Sequence, residues 1–255
     1  MKKVLVGVLM AAMAVSLVGF GAKPADAADV KTVEAGKLHM ATNAAFPPYE
    51  MTTDDGGYEG IDVEIATEIA KKLGLELVVD DMDFSSVITV VQTGKSDIAM
   101  AGLTVTDERK KNVDFTDSYA TGIQSIIVPE GSDIATADDL ADHMIGTQEG
   151  TTGFFYCTDD FGEEFVLSYP NGATAVQNLL AGKVDAVVID NAPAQAFVEA
   201  NDGLVLLDTE YVTEDYAIGV SKDNPDLCAA VNGALKDLIK DGTVAKIVEK
   251  YIPVE

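Results

Sequence analysis

Arg109 closes the segment "AGLTVTDER" (101–109), a run of small residues that follows the apolar stretch "SDIAM" and then turns polar. A guanidinium presents a planar fork of donors that matches a carboxylate two bonds at a time. Amides at a helix start can receive the same anion. Thr104 or Thr106 is placed to cap such a helix, and Asp107 and Glu108 fit its first turn without any further role. The alternative is a solvated, charged helix start. Asp190 ends "VDAVVID" and is either the N-cap of a helix beginning "NAPAQAF" or the acceptor for a ligand ammonium. Arg109 and Asp190 on facing edges would suit a zwitterion. In "TQEGTTGFF" (147–155), Gly150 lets backbone approach a ligand, and Thr151 and Thr152 offer hydroxyls and amides just before a helix. Phe46, before a double proline, and Phe84, at a helix start, belong either to the core or to a cleft wall.

The positioning elements follow from periodicity. "KLHMATN" reads as a strand, and "AAFPPYE" breaks it. "GIDVEIATEIAKKLG" carries Ile61, Ile65, Ile69 and Leu73 at helical spacing with Gly74 as stop. "LELVV" is a buried strand, and "FSSVITVVQTGK" a helix ending at Gly94. Strands alternating with amphipathic helices predict an α/β chain with a largely parallel sheet. An internal echo relates "VVQTGKSDIAMAGL" to "NLLAGKVDAVVIDN": helix end, Gly-Lys-x-Asp, buried strand, polar or small-residue loop. Ligands bind outside the carboxyl ends of strands in open α/β sheets, so both loops are expected at functional edges that can face one another across a cleft. The extended segments "SYATGIQSIIVPEG" and "LDTEYVTEDYAIGVS" suit two crossings between lobes, near 120 and near 212. The expected organisation is a first lobe over 28–120, a second over 121–212 and a return to the first over 213–255. Two connections make a hinge.

The 255 residues hold 17 basic and 43 acidic side chains, a formal charge of −26 that disfavours nucleic acid and anionic membrane as partners. With 47% hydrophobic residues and no low-complexity tract, the chain is expected to fold. Lys2 and Lys3 precede an uncharged apolar run from Val4 to Ala22, and Ala25-Asp26-Ala27 offers a small-x-small cleavage pattern, so 1–27 reads as an export signal. A retained membrane anchor is the alternative. "LVGFG" has Phe20 where a lipoprotein signal would carry Cys, so no lipid anchor is expected. Cys157 and Cys228 read as free thiols rather than a disulfide. His39 and His143 stand alone, no metal-ligand spacing occurs, and neither metal nor cofactor is expected.

The series "ATNAAFPPYE", "GIDVEIATEIAKKLG", "SDIAMAGLTVTDERKKNVDFTDSY", "GTQEGTTG", "GKVDAVVIDN" and "NGALKDLIKDGTVAKIVEKY" resembles the polar-amino-acid-binding branch of the extracytoplasmic solute-binding proteins of ABC importers. The likeness runs from about Lys37 to the C-terminus. It implies a two-lobed periplasmic-binding-protein fold, with a two-connection hinge and a central cleft closing over an amino acid. By that resemblance Ala101, Gly102, Thr104 and Arg109 form a cradle for the ligand's head, and Thr151 and Thr152 contact its carboxylate. Gln148 lines the pocket, Asp190 holds the α-ammonium, and Phe46 and Phe84 sandwich the side chain. The implied partners are an L-amino acid and a membrane permease, with the receptor a monomer in the periplasm or at the outer face of the cytoplasmic membrane. Asn43 stands where many relatives carry an acid, which weakens a lysine or arginine assignment. Glu50 is expected at the rim or in a structural role, and the implied ligand is a polar, uncharged L-amino acid. The rival is a dehydratase-type enzyme on the same fold, acting on a small carboxylic acid; no Ser-His, Cys-His or metal constellation supports it.

Overall fold

The computed structural model describes residues 30–208 and 211–253. The export signal read at 1–27, with Phe20, lies outside these residues. The chain begins with β1 (Lys37–Thr42), a small separate sheet of β2 (Ala45–Phe46), β3 (Glu50–Thr52) and β4 (Tyr58–Glu59), then α1 (Ile61–Leu73), β5 (Glu76–Asp81), α2 (Phe84–Gln92) and β6 (Ile98–Ala99). The long strand β7 (Val113–Pro129) leads to β8 (Ile145–Gln148), α3 (Thr152–Phe161), β9 (Val166–Tyr169), α4 (Gly172–Leu180), β10 (Ala186–Asp190), α5 (Asn191–Glu199) and β11 (Leu204–Leu206). A second long strand, β12 (Val212–Ser221), precedes α6 (Pro225–Lys240) and α7 (Thr243–Tyr251).

Local chemistry explains these boundaries. Ile61, Ile65 and Ile69 fall on one buried face of α1, and Gly74 ends the helix in the left-handed conformation at φ 70°, its region favouring glycine. Pro225 sits in the first turn of α6, while the Asn224 side chain accepts from the Leu227 amide. Among the described residues no helix is long and apolar enough to cross a membrane.

The main sheet has nine strands in the order β5-β1-β6-β12-β7-β10-β8-β9, with β11 beside β7. It is not largely parallel, as periodicity alone suggested. β5, β1 and β6 run parallel, as do β10, β8 and β9, but the two sets join through antiparallel pairings of β12 and β7. Periodicity reports burial on both faces, which a central antiparallel strand shares with a parallel one.

The register of the crossing strands decides where function sits. On one side Ala99 pairs with Gly219; on the other Asp190 pairs with Gln124. The two parallel sets run in opposite senses, so their carboxyl ends converge on the middle of β7 and β12, where Tyr216 pairs with Ala120 and the ladder shifts register. The largest apolar cluster contains Met40 and Ile98 from one set and Val187 and Ile189 from the other.

Cys157 and Cys228 are free, as expected, and burial pushes the Cys157 thiol up to about 12. The histidines are less isolated than the sequence suggested: His39 Nδ1 lies 3.1 Å from Asp80, and His143 Nδ1 lies 3.5 Å from Asp185.

Candidate functional site

A cavity lies where the strand ends converge. All eleven candidate residues of the sequence line it: Asn43, Phe46 and Phe84; Ala101, Gly102, Thr104 and Arg109; Gln148, Thr151, Thr152 and Asp190. Glu50 also lines it. A space walled by a few convergent polar groups and two aromatic rings suits one small molecule.

Arg109 does not open a helix of useful length. It begins a 3-10 turn, Arg109–Lys111, whose Arg109 amide donates to Thr106 Oγ1 at 3.1 Å. A single turn cannot sum peptide dipoles as a longer helix does, so the guanidinium itself carries the anion-binding capacity here. Arg109 is buried, donates to the Thr104 carbonyl at 2.9 Å and to the Gly150 carbonyl at 3.2 Å, and lies 5.5 Å from the centre of the Phe84 ring. Among the described residues no Asp or Glu forms an ion pair with it. Burial pulls this guanidinium below its ordinary value, opposed by the charges of Glu214 and Asp190. A buried cation with only carbonyl acceptors is half of a pair.

The bland reading of Asp190 fails on geometry. It occupies the N-cap position of α5, yet its side chain makes no capping bond and instead accepts from the Tyr216 hydroxyl. Burial, with the Glu214 charge second, raises this carboxyl to about 7, while the Tyr216 hydroxyl pulls it down. Thr151 does cap its helix: its Oγ1 accepts from the Phe154 amide at 3.2 Å and donates to the Gln148 carbonyl at 2.8 Å. Thr152, the first residue of α3, is buried at the cavity wall, so the free amides of that helix start face the same space as Arg109.

Gly102 adopts φ 54°, and a Cβ there would stand 2.7 Å from Phe46 Cε1. Its amide donates to Asp62 Oδ2 at 2.8 Å, so backbone, ring and acid are packed as one unit. Gly102→Ala is expected to destabilise the fold by about 1–2 kcal/mol, the usual cost of a left-handed non-glycine residue, and to weaken ligand affinity by moving Phe46. Urea unfolding and calorimetric titration measure the two effects; a variant unchanged in both would refute this packing.

One side-chain hydrogen bond here, Gln148 to Asn43, crosses from one parallel set to the other. Gln148 Nε2 donates to Asn43 Oδ1 at 2.9 Å and to the Pro170 carbonyl at 3.3 Å, and Asn43 Nδ2 donates to the Met82 carbonyl at 2.8 Å. Asn43 is thus held by protein partners at both ends of its amide. Glu50 is fully buried and lines the cavity, which overturns a place at the rim and leaves the structural alternative standing.

Five residues of the polar network behind the cavity wall were missed: Asp62, Tyr119, Gln124, Glu214 and Tyr216. Asp62 is fully buried and accepts from Gly102 N and from Tyr119 Oη, each at 2.8 Å. Glu214 accepts from Thr104 Oγ1 at 3.1 Å and from Gln124 Nε2 at 3.0 Å, and Tyr216 reaches Asp190. Signals existed. Asp62 shares a helix face with Ile65, Ala66 and Ile69, and Glu214 shares a strand face with Tyr216, Ile218 and Val220. An acid on an apolar face is the mark of a buried polar network.

Residues 38–254 match the family model described as bacterial extracellular solute-binding proteins, family 3. The chain is 32% identical to the L-cystine-binding protein TcyJ of Escherichia coli (strain K12), over 95% of this chain and 94% of that one. It is 33% identical to the arginine-binding extracellular protein ArtP of Bacillus subtilis (strain 168), over 84% of this chain and 86% of that one. Among solved structures, an ancestral arginine-binding protein bound to glutamine superposes with a TM-score of 0.82 at 39% identity, covering 87% of this chain and 100% of the other.

Proposed function

Because the chain belongs to family 3 of the bacterial extracellular solute-binding proteins, we propose that it captures a single L-α-amino acid between two lobes outside the cytoplasmic membrane and delivers it to the permease of an ABC importer. The observation that carries this reading is the buried, unpaired Arg109 set against the buried Asp190 in one cavity. An α-carboxylate answers the first and an α-ammonium the second. Thr104, Gly102 and Ala101 with the α3 amides complete the head-group cradle, while Phe46 and Phe84 hold the side chain. TcyJ, ArtP and the ancestral protein are all named as binders of amino acids, which supports the ligand class.

The lobes of this reading are 28–120 with 213–255, and 121–212, hinged where β7 and β12 cross. Gln148 bonded to Asn43 and Arg109 bonded to the Gly150 carbonyl tie one lobe to the other. A ligand that touches both walls adds contacts only the closed form can make, and that differential affinity drives closure. The receptor is proposed to act as a monomer, in the periplasm or at the outer membrane face, without enzymatic turnover.

A thermal-shift screen of the L-amino acids tests this function. A ligand that binds only the folded state stabilises it in proportion to the logarithm of its concentration, by about 2.7 kcal/mol at 100 times Kd. At least one amino acid is expected to raise Tm by several degrees. A flat response across the set would overturn the proposal.

A further inference from the structure

Two buried side chains on one face of β12 reach opposite walls of the cavity. Glu214 and Tyr216 lie two residues apart in the strand, about 7 Å along it, so they point to the same side of the sheet. Thr104, at the cavity wall, pairs with Tyr216 through an antiparallel bridge. Backbone bonds flank that bridge: the Val105 amide donates to the Asp215 carbonyl at 2.9 Å, and the Ala217 amide to the Leu103 carbonyl at 3.1 Å. The loop that carries the cradle is thus tied directly to β12. The Thr104 hydroxyl donates to Glu214 Oε2 at 3.1 Å, and Gln124 Nε2 from β7 donates to the same oxygen at 3.0 Å. A hydroxyl has one proton, so with that proton given to Glu214, Thr104 Oγ1 offers the cavity only lone pairs.

The opposite wall is held by the next residue on that face. The Tyr216 hydroxyl donates to Asp190 Oδ1, on the acid that ends β10 and makes no capping bond to α5. The ring is itself fixed in place. It packs edge-on against Tyr49 with centroids 5.3 Å apart, and its hydroxyl lies over Gly122 of β7, where an added Cβ would collide with it. We propose that Glu214 and Tyr216 are positioning residues of the head-group site: from one face of β12, Glu214 makes Thr104 Oγ1 an acceptor and Tyr216 aims Asp190, so that a ligand ammonium meets both. The inference rests on the amino-acid-binding reading above. Neither residue lines the cavity, so each acts through its partner.

The charged and titratable groups facing Asp190 come from each element around it. They are Glu214 and Tyr216 from β12, Arg109 from the cradle loop, Tyr156 from α3, and Tyr49 and Glu50 at the start of β3. Burial, with the Glu214 charge second, raises the Asp190 carboxyl to about 7, and the Tyr216 hydroxyl opposes that rise. A hydroxyl donor favours the carboxylate, which is the form that takes an ammonium. Removing the donor raises the acid further, so affinity begins to fall from a higher pH as the solution is acidified. Loss of packing alone would lower affinity at every pH and leave that acid limb where it is.

Calorimetric titration of the full exported chain at pH values from about 5 to about 8 reads both roles. The common L-amino acids and L-cystine are screened on the wild type, and the tightest binder is the probe for every variant. Tyr216→Phe keeps the ring and is expected to weaken binding about 10-fold near pH 7 and to move the acid limb up by at least about half a pH unit. Glu214→Leu is expected to weaken binding at least about 10-fold, and Glu214→Gln, whose carbonyl can still accept from Thr104, to recover part of that loss. In a Thr104→Val background there is no hydroxyl to orient, so Glu214→Leu should change Kd by less than about 2-fold. An acid limb unmoved in Tyr216→Phe, or losses at 104 and 214 that add in full, overturns the positioning roles and leaves amino-acid capture standing. A wild type that responds to no amino acid overturns both. Should Glu214→Leu lose its circular-dichroism signature of folding, the acid limb of Tyr216→Phe decides by itself.

Discussion

Arg109→Ala is expected to abolish amino-acid binding while leaving the protein folded. Its guanidinium is buried without an acidic partner and bonds only to the Thr104 and Gly150 carbonyls. A fork bonded to a ligand carboxylate in such a site contributes about 1.5–3 kcal/mol per bond, so losing two bonds corresponds to at least about 100-fold in Kd. The fold should tolerate the change, because removing a desolvated cation offsets the two carbonyl bonds and the packing on Phe84 that go with it. Arg109→Lys keeps the charge without the fork and should recover only part of the affinity. Titration against the ligand found by screening, with circular dichroism as the folding control, reads both; normal binding by Arg109→Ala would sink the head-group assignment.

Asp190→Asn should separate stability from function in the opposite direction. The carboxyl is raised from 3.8 to about 7 in the folded protein, chiefly by burial. A raised acid favours the fold while protonated, so this contribution is present below about pH 4 and is lost as pH climbs through about 7. Asp62, raised to about 6, adds a loss of the same sign. The ligand-free wild type is therefore expected to be more stable near pH 5 than near pH 8. A rise of this size corresponds to about 4 kcal/mol at most for Asp190. Asn at 190 is neutral at both pH values and can still accept from Tyr216, so ligand-free Asp190→Asn should gain about 2 kcal/mol at pH 8 over the wild type. It should bind amino acids at least about 100-fold more weakly, since the ammonium loses its charged partner. Urea denaturation at the two pH values, paired with titration, tests the pair of effects. A variant less stable than wild type at pH 8, or one that binds normally, would refute the role of this carboxylate.

The reach of sequence reasoning differs from residue to residue. Asp190, Thr151 and Thr152 were marked because each ends an apolar strand or opens a helix, and Arg109 because its fork of donors follows a small-residue loop; such junctions are local properties of the chain. Ala101, Gly102 and Thr104 were marked by their small-residue loop after an apolar strand, whereas Asn43 and Gln148 were placed only by the order of motifs that resembles a known family. Asp62, Gln124, Glu214 and Tyr216 were passed over because a polar residue inside an element reads as a solvated face until its partners across the sheet are known. Glu50 was misplaced for the same reason: nothing within "PPYEM" says whether its carboxyl meets water or a second buried acid.

What the sequence determined by itself was the set of elements and the residues at their ends, since helical and strand periods, glycine stops and capping residues act over a few neighbours. The tertiary structure alone decided that the two parallel sets run in opposite senses along β7 and β12. That register makes their carboxyl ends meet, buries Arg109, Asp190 and Glu50 in one cavity, and sets Glu50 against Asp62. The cause is physical: the protonation and partners of a buried carboxyl depend on groups dozens of residues away, and only the closed sheet brings those groups within a few ångströms.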